Sequence, residues 1–233
     1  MHLFHIAFFS LLLNFHAEKE IPSEDLSSTY SSPIESLYEE IASNSPNLPQ
    51  QQVFEYAFKG WEQLESNISN HLITIIDFSL PSTEKRLWVI DPINKLVLVN
   101  SVVSHGRNSG ELYAKNFSNK PSSYKSSLGF YKTAETYHGK HGLSLRLDGL
   151  EKGFNDLARP RAIVIHGADY AREEFISAAG RLGRSLGCPA LPSELSKEVI
   201  ELIKEGSLLF IYGEDQDYLS NSKLISASVS KQG

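Results

Sequence analysis

The sequence predicts a mainly β fold of the α+β class, a small sandwich or barrel flanked by a few helices. Short runs rich in β-branched residues recur at close spacing through the middle of the chain, and turn residues separate them. Helical periodicity is found only before these runs and in two segments after most of them. This order disfavours a parallel sheet built from alternating strands and helices.

Two helices are predicted in the Ser- and Pro-rich residues 18–70, before the first strand. Ser32 and Pro33 supply a cap and a first-turn proline for the shorter helix. The longer helix runs from about residue 50 to residue 64, with its apolar residues on one wide face. We expect both helices to pack onto the core.

The core domain is predicted over residues 71–213. Helices are expected at residues 170–179 and 193–204, the second directly before the last strand. Residues 214–233 are polar, and we expect them to form a frayed C-terminal tail. The strand-like runs lie at residues 71–80, 87–91, 95–103, 128–134, 143–147, 162–165 and 207–212.

The N-terminus has the pattern of a secretory leader. Residues 3–13 are almost wholly apolar, and no charged side chain precedes Glu18. The run is too short to span a bilayer, and Ala17 is a small residue suited to a cleavage site. We interpret residues 1–17 as a signal peptide that directs export to the periplasm or cell envelope. Once it is removed, no integral membrane span is expected.

Charge and cysteine content exclude several classes of function. The chain has 22 Lys and Arg residues against 28 Asp and Glu, a net charge of −6, so it has no general attraction to nucleic acid. Cys188 is the only cysteine, which excludes an intramolecular disulfide and a metal cluster built from the chain's own thiolates. A lone thiol is either a small buried hydrophobe or a reactive group.

Two short motifs favour the reactive interpretation. His166 closes an apolar run and precedes Gly167, and Ser185-Leu186-Gly187-Cys188 follows, with Cys188 22 residues after the histidine. A nucleophilic thiol needs a nearby base, and it needs backbone N–H donors for the oxyanion that forms on the attacked carbonyl. Gly187 permits the unusual backbone angles of such a turn.

The residues around Cys188 predict where its activating groups lie. Pro189 has no N–H, so the oxyanion donors are expected from Cys188 and the residues before it. Arg181 and Arg184 add positive potential, which we expect to lower the pKa of the thiol.

Together the two motifs resemble the His-Gly and Ser-x-Gly-Cys signature of the peptidoglycan (murein) L,D-transpeptidase catalytic domain. The match continues in the same order over roughly residues 72–212. Val103-Ser104-His105-Gly106 resembles that family's early strand, Ser127-Leu128-Gly129-Phe130 resembles its Thr-Pro-x-Gly-x-Phe strand, and residues 137–145 with Gly187-Cys188-Pro189-Ala190-Leu191 resemble the branch ending in Gly-Cys-Pro-Ala.

The resemblance implies a mainly β catalytic domain, here residues 71–213, that acts on peptidoglycan stem peptides without a metal or organic cofactor. Cys188 would attack the carbonyl after an L-centre such as meso-diaminopimelate and expel the terminal D-alanine. His166 would accept the thiol proton and protonate the departing amine. Gly187, in the turn that holds the oxyanion, completes the predicted catalytic set.

Four residues are predicted to contact the substrate. Many family members carry arginine two residues after the cysteine, whereas this chain has Ala190. We therefore expect Arg184 to bind a substrate carboxylate, with Arg181 as the next choice. His105 and Ser185 complete the predicted contacts.

The remaining histidines do not predict a metal site. His105, His138 and His141 match no established metal-ligand spacing, and we interpret them as cleft or loop residues.

Three functions are compatible with these motifs. The leading one is a cell-envelope cysteine acyltransferase that cross-links stem peptides. The same Cys188 and His166 would serve an L,D-carboxypeptidase or peptidase that uses water as acceptor, because the acceptor contributes no motif. A non-catalytic peptidoglycan-binding module of the same fold is the third, and the presence of both residues disfavours it.

Overall fold

Eight strands form one mixed sheet in the computed structural model, which describes residues 32–226. The predicted signal peptide and residues 18–31 lie outside the described residues. The strands are β1 (Ile73–Asp77), β2 (Leu87–Asp91), β3 (Leu96–Ser101), β4 (Gly129–Gly139), β5 (Gly142–Gly149), β6 (Val164–Gly167), β7 (Ala190–Leu191) and β8 (Leu208–Tyr212). The helices are α1 (Pro33–Asn44), α2 (Gln51–Leu64), α3 (Glu173–Ala179), α4 (Ser193–Ile203), α5 (Gln216–Asn221) and α6 (Lys223–Ser226). Within residues 32–226, no helix has the length and apolar content that crossing a membrane requires.

The sheet curls toward a barrel. Its strand order is β3-β2-β1-β8-β4-β5-β6-β7, in which β1 pairs with β8 and β6 with β7 in parallel and the other neighbours are antiparallel. A further antiparallel bridge joins Ser104, just beyond β3, to Ala190 in β7. The two edges of the sheet therefore approach each other, and the predicted mainly β fold of the α+β class is confirmed.

The apolar runs that predicted strands are buried along their whole length at the centre of the sheet. Every residue of β1 and β2 is buried, and so are the first four residues of β8. Strands covered on both faces are nearly continuous in apolar residues, which is why these three stand out in the sequence. In contrast, β3 is an edge strand and leaves Leu96 and Leu98 exposed.

The two N-terminal helices pack onto the core, as predicted. Ser32 forms a capping box with Glu35: its Oγ accepts from the Glu35 N–H at 3.1 Å, and its own N–H donates to the Glu35 carboxylate at 3.3 Å. Phe54 and Phe58 of α2 are buried and stack with ring centroids 4.2 Å apart. Their helix contacts β1 and β8, the middle of the sheet.

The hairpin of β4 and β5 is longer than predicted. Its pairing continues until Gly139 lies opposite Gly142, so only Lys140 and His141 remain in the turn. Gly142 adopts a φ of +76°, a left-handed conformation that glycine reaches without steric cost. This tight turn fixes the backbone positions of Lys140 and His141.

The prediction of a frayed tail from residue 214 is wrong for its described part, because α5 and α6 are attached to the core. Tyr218 is fully buried, and its OH donates to the Glu151 carboxylate at 3.0 Å. The N–H of Phe130 donates to the same oxygen at 2.8 Å, and Ser222 Oγ donates to the other. A buried carboxylate needs such donors, so Glu151 holds the C-terminal helices against the sheet.

Tyr218→Phe is expected to lower the free energy of unfolding by about 1 to 2 kcal/mol, because the buried Glu151 carboxylate loses one of its donors. Urea denaturation followed by circular dichroism measures the change. Tyr113→Phe is the matched control, since Tyr113 is 42% exposed, and it should leave stability unchanged. If Tyr218→Phe changes the free energy of unfolding as little as Tyr113→Phe does, the Glu151 carboxylate has enough hydrogen-bond donors without Tyr218.

Candidate active site

Cys188 and His166 line the same cavity, which has a volume of about 430 Å³. This volume is within the usual range for sites that bind small molecules. The turn between β4 and β5, strand β6 with the residues before it, and the loop that precedes β7 form the walls. The two residues that the sequence singled out therefore share one site.

The pairing of β6 with β7 brings the two side chains together. His166 lies opposite Ala190, and Gly167 lies opposite Leu191. Cys188 is two residues before Ala190, so it enters the cavity where the short strand begins. On the other side of β6, His166 pairs with Ser144 of β5. The histidine is thus held between two strands rather than on a free loop.

Ser185 shapes the loop that carries Cys188. Its Oγ accepts the N–H of Gly187 at 3.0 Å and donates to the carbonyl of Cys188 at 2.6 Å. Ser185 is buried, although it reaches the cavity wall. These two bonds make it a positioning residue for the cysteine, in addition to the substrate contact that was predicted.

Gly187 is required by backbone geometry. Its φ is +125°, and a Cβ there would lie 2.9 Å from the carbonyl oxygen of Lys125. Because the Gly187 N–H already donates to Ser185, it is not available to an oxyanion. Of the donors that the sequence predicted, Gly187 is thereby excluded, whereas the N–H of Cys188 remains.

The expected lowering of the thiol pKa is wrong, because burial dominates. Burial raises the pKa of Cys188, and it outweighs the opposing effects of the Val164 backbone and of the positive charges on Arg161 and Lys140. Arg161 and Lys140, rather than the expected Arg181 and Arg184, are the cations with the largest effect on the thiol pKa. Sγ donates to the carbonyl oxygen of Ala162 at 3.7 Å.

His166 is placed to act as a base through Nε2. Its Nδ1 lies 2.9 Å from the carbonyl oxygen of Gly167, which can only accept, so Nδ1 carries the proton and Nε2 has a free lone pair. Burial lowers the pKa of His166, and the neighbouring His141 and Lys140 lower it further. The His141 ring stacks on it at 4.4 Å. Near neutral pH the site holds a thiol and a neutral imidazole rather than an ion pair.

Alkylation of Cys188 by iodoacetamide is expected to keep accelerating above about pH 8.5, the ordinary cysteine pKa, because burial disfavours the thiolate at rest. Stopped reactions analysed by intact mass give the rate at each pH. The denatured protein is the control, and its rate should level off earlier. A plateau below pH 7 in the folded protein would instead indicate a thiolate–imidazolium pair.

The order of the motifs and the shared cavity agree with one family model. The model describes the L,D-transpeptidase catalytic domain and matches residues 46–212, well over half of the chain. This chain belongs to the L,D-transpeptidase catalytic domain family. The resemblance drawn from the sequence is thereby confirmed.

Three solved L,D-transpeptidases are similar to this chain. The one from Mycobacterium smegmatis is 12% identical with a TM-score of 0.38, over 61% of this chain and 58% of its own. L,D-transpeptidase 3 from Mycobacterium tuberculosis, in complex with a faropenem-derived adduct, is 12% identical with a TM-score of 0.39, over 61% of this chain and 60% of its own. The L,D-transpeptidase from Xylanimonas cellulosilytica is 12% identical with a TM-score of 0.36, over 78% of this chain and 94% of its own. No curated protein matches.

In this L,D-transpeptidase domain, both arginines predicted to contact the substrate are paired with Glu111. Arg184 Nη1 lies 2.6 Å from a Glu111 carboxylate oxygen and also donates to the carbonyls of Arg107 and Gly110. Arg181 Nε lies 3.1 Å from the other oxygen of Glu111. Of the two, Arg184 lines the cavity. A substrate carboxylate would have to compete with Glu111 for either guanidinium.

The prediction that His105 contacts the substrate is not supported by its position. His105 is 0% exposed and does not line the cavity. Arg86 donates to its Nδ1 at 2.8 Å, and its Nε2 donates to the Gly110 carbonyl at 3.2 Å. Burial, followed by the Arg86 charge, lowers the pKa of His105 to about 4, so it stays neutral. It supports the cysteine loop from behind, through a bond from the Ser185 N–H to its carbonyl.

Sequence reasoning missed Arg161 as a residue of this site. Its guanidinium donates to the carbonyls of Ser118 and Lys125 and to the hydroxyls of Ser123 and Ser127, at 2.6 to 3.3 Å. It thereby fixes the long segment before β4 beside the thiol. Nothing in its local sequence distinguishes it from other arginines.

The histidines considered as metal ligands are dispersed. His105 is bound to Arg86, and His141 is stacked on His166. Within residues 32–226, no group of three or more His, Cys, Asp or Glu side chains is placed to hold a metal ion.

Proposed function

We propose that this chain is a cell-envelope L,D-transpeptidase that cleaves a peptidoglycan stem peptide through a thioester on Cys188. One observation carries the proposal: the only cysteine and a histidine with an unprotonated Nε2 line one cavity in a chain of the L,D-transpeptidase family. The substrate would be a tetrapeptide stem with an L-centre, such as meso-diaminopimelate, before a terminal D-alanine.

Acylation would begin as Sγ attacks the carbonyl carbon and Nε2 of His166 takes the thiol proton. The negative oxygen that forms would be stabilised by the Cys188 N–H. His166 would then give the proton to the nitrogen of D-alanine, so that the C–N bond breaks and the thioester remains. These steps use only protein groups and need no metal or organic cofactor.

Deacylation would repeat the proton transfers in reverse. The amine of a second stem would attack the thioester carbon while His166 removes a proton from it, and the proton would return to Sγ as the C–S bond breaks. A neutral Cys188 thiol and a neutral His166 imidazole suit both acylation and deacylation, because the imidazole must be unprotonated at the start of each step. Attack by water in place of the amine would make the protein a carboxypeptidase.

The test is incubation of the mature protein with purified muropeptides that carry tetrapeptide stems, followed by mass spectrometry. Cross-linked dimers that have lost one D-alanine are expected, and a Cys188→Ala variant should form none. Tripeptide monomers alone would identify water as the acceptor. Unchanged muropeptides would overturn the proposal in favour of a binding module.

A further inference from the structure

The cavity is positive although the whole chain is negative. It is lined by Lys140, Arg161 and Arg184, and none of the described residues that line it is Asp or Glu. The net charge of the chain is −6, so the charge of this cavity is opposite in sign to that of the chain as a whole. Such a site favours an anionic ligand.

Two of the three cations are already engaged. Arg161 donates to two carbonyls and two hydroxyls of the segment before β4. Arg184 is paired with Glu111 and bound to two further carbonyls. Within residues 32–226, no hydrogen bond or ion pair engages the ammonium group of Lys140. Lys140 is therefore the cavity cation with a free charge.

Lys140 also lies close to the reacting groups. It begins the two-residue turn between β4 and β5, which the Gly139–Gly142 pair holds closed. Its charge acts on both Cys188 and His166, whose electrostatic environments each include it. An anion bound to Lys140 would thus lie in the cavity that holds both reacting groups.

We propose that Lys140 binds a carboxylate of the peptide substrate beside the attacked carbonyl, which makes the β4–β5 turn the element that recognises acidic peptides. That the bound anion is a carboxylate of the peptide substrate rests on the proposed function. A lysine on a flexible stem suits the task, because a point charge can follow a carboxylate whose position shifts between acylation and deacylation. It replaces Arg184, whose charge is balanced by Glu111.

The first experiment uses Cys188 as a reporter and needs no peptidoglycan. The alkylation rates with iodoacetate, which is an anion, and with neutral iodoacetamide are measured for the wild type and for Lys140→Met. Any change in the thiolate fraction affects both reagents equally, so their ratio reports attraction of an anion alone. The ratio is expected to fall roughly threefold to tenfold in Lys140→Met and to persist in Lys140→Arg.

The matched control is Lys152→Met, which removes an exposed lysine outside the cavity and should leave the ratio unchanged. Lys140 is itself exposed, so its replacement leaves the core packing intact. Added salt should reduce the wild-type ratio toward that of Lys140→Met. An unchanged ratio in Lys140→Met would overturn the proposal, whatever the protein does to muropeptides.

The second experiment measures binding of a tetrapeptide stem to Cys188→Ala by calorimetry, with free carboxylates or with carboxamides in their place. Adding Lys140→Met should weaken the acid peptide about tenfold and the amide peptide little, since a charge-assisted contact is lost only in the first. Equal weakening of both peptides would overturn carboxylate recognition. Failure of both peptides to bind would count against the proposed substrate, and the alkylation ratio would still decide the role of Lys140.

Discussion

Cys188→Ala is expected to abolish thioester formation and to reduce turnover of tetrapeptide muropeptides roughly ten-thousandfold or more. The chain has no second cysteine, so no other thiol can replace the nucleophile. Removing the group that forms the covalent bond leaves only binding and oxyanion stabilisation, which retain a small part of the rate. Intact-mass spectrometry after mixing with substrate detects the acyl-enzyme, and chromatography of the muropeptides measures turnover.

Cys188→Ser is the sharper form of the same experiment, because it preserves the size of the side chain. The hydroxyl is far less acidic than the thiol, so His166 alone should not activate it, and the loss should approach that of Cys188→Ala. A thermal melt close to that of the wild type is the control for folding. Turnover within tenfold of the wild type in Cys188→Ala would remove Cys188 from the mechanism.

The centre of the fold could be predicted because its strands are buried on both faces. Residues 87–91 match β2 at both ends, since all five positions are buried and the first four are apolar, which stands out against the polar turns. In contrast, β7 has two residues, too few to show any periodicity, and it was missed. The tail was misjudged because its attachment depends on Glu151, a residue distant in sequence.

The sequence could predict a site residue only where its immediate neighbours in the chain form a recognisable motif. His166 and Cys188 were found because each stands beside a glycine in a recognisable motif. His105 has the same neighbour, Gly106, yet it faces Arg86 in the interior. A His-Gly pair predicts a strand end but not which side of the sheet the ring faces.

Electrostatic predictions failed for the same physical reason. Arg181 and Arg184 were chosen because they are near Cys188 in the chain, whereas Arg161 and Lys140, which are more distant in the chain, have the larger effect on the thiol pKa. Burial, which the sequence analysis set aside once the motifs favoured a reactive thiol, has the largest effect on the pKa of the thiol. Which charges form ion pairs and which groups are desolvated depends on the folded chain and not on the local sequence.

His166→Gln is expected to lower kcat/KM on a tetrapeptide muropeptide by about a hundredfold to ten-thousandfold, the range for loss of general acid–base assistance. Glutamine is similar in size, and it cannot accept the thiol proton. His71→Gln is the matched control, because His71 is an exposed histidine outside the cavity, and it should retain full activity.

The pH profile of kcat/KM separates a catalytic His166 from a merely structural one. The base works only when neutral, so activity should rise with pH through the lowered pKa of His166, with a midpoint below its ordinary value of about 6.5. His166→Gln should lose this acidic limb. His141→Phe keeps a stacked ring but removes a charge that lowers the pKa of His166, so the limb should move to higher pH. A loss below tenfold in His166→Gln, with the acidic limb retained, would assign the base to another group.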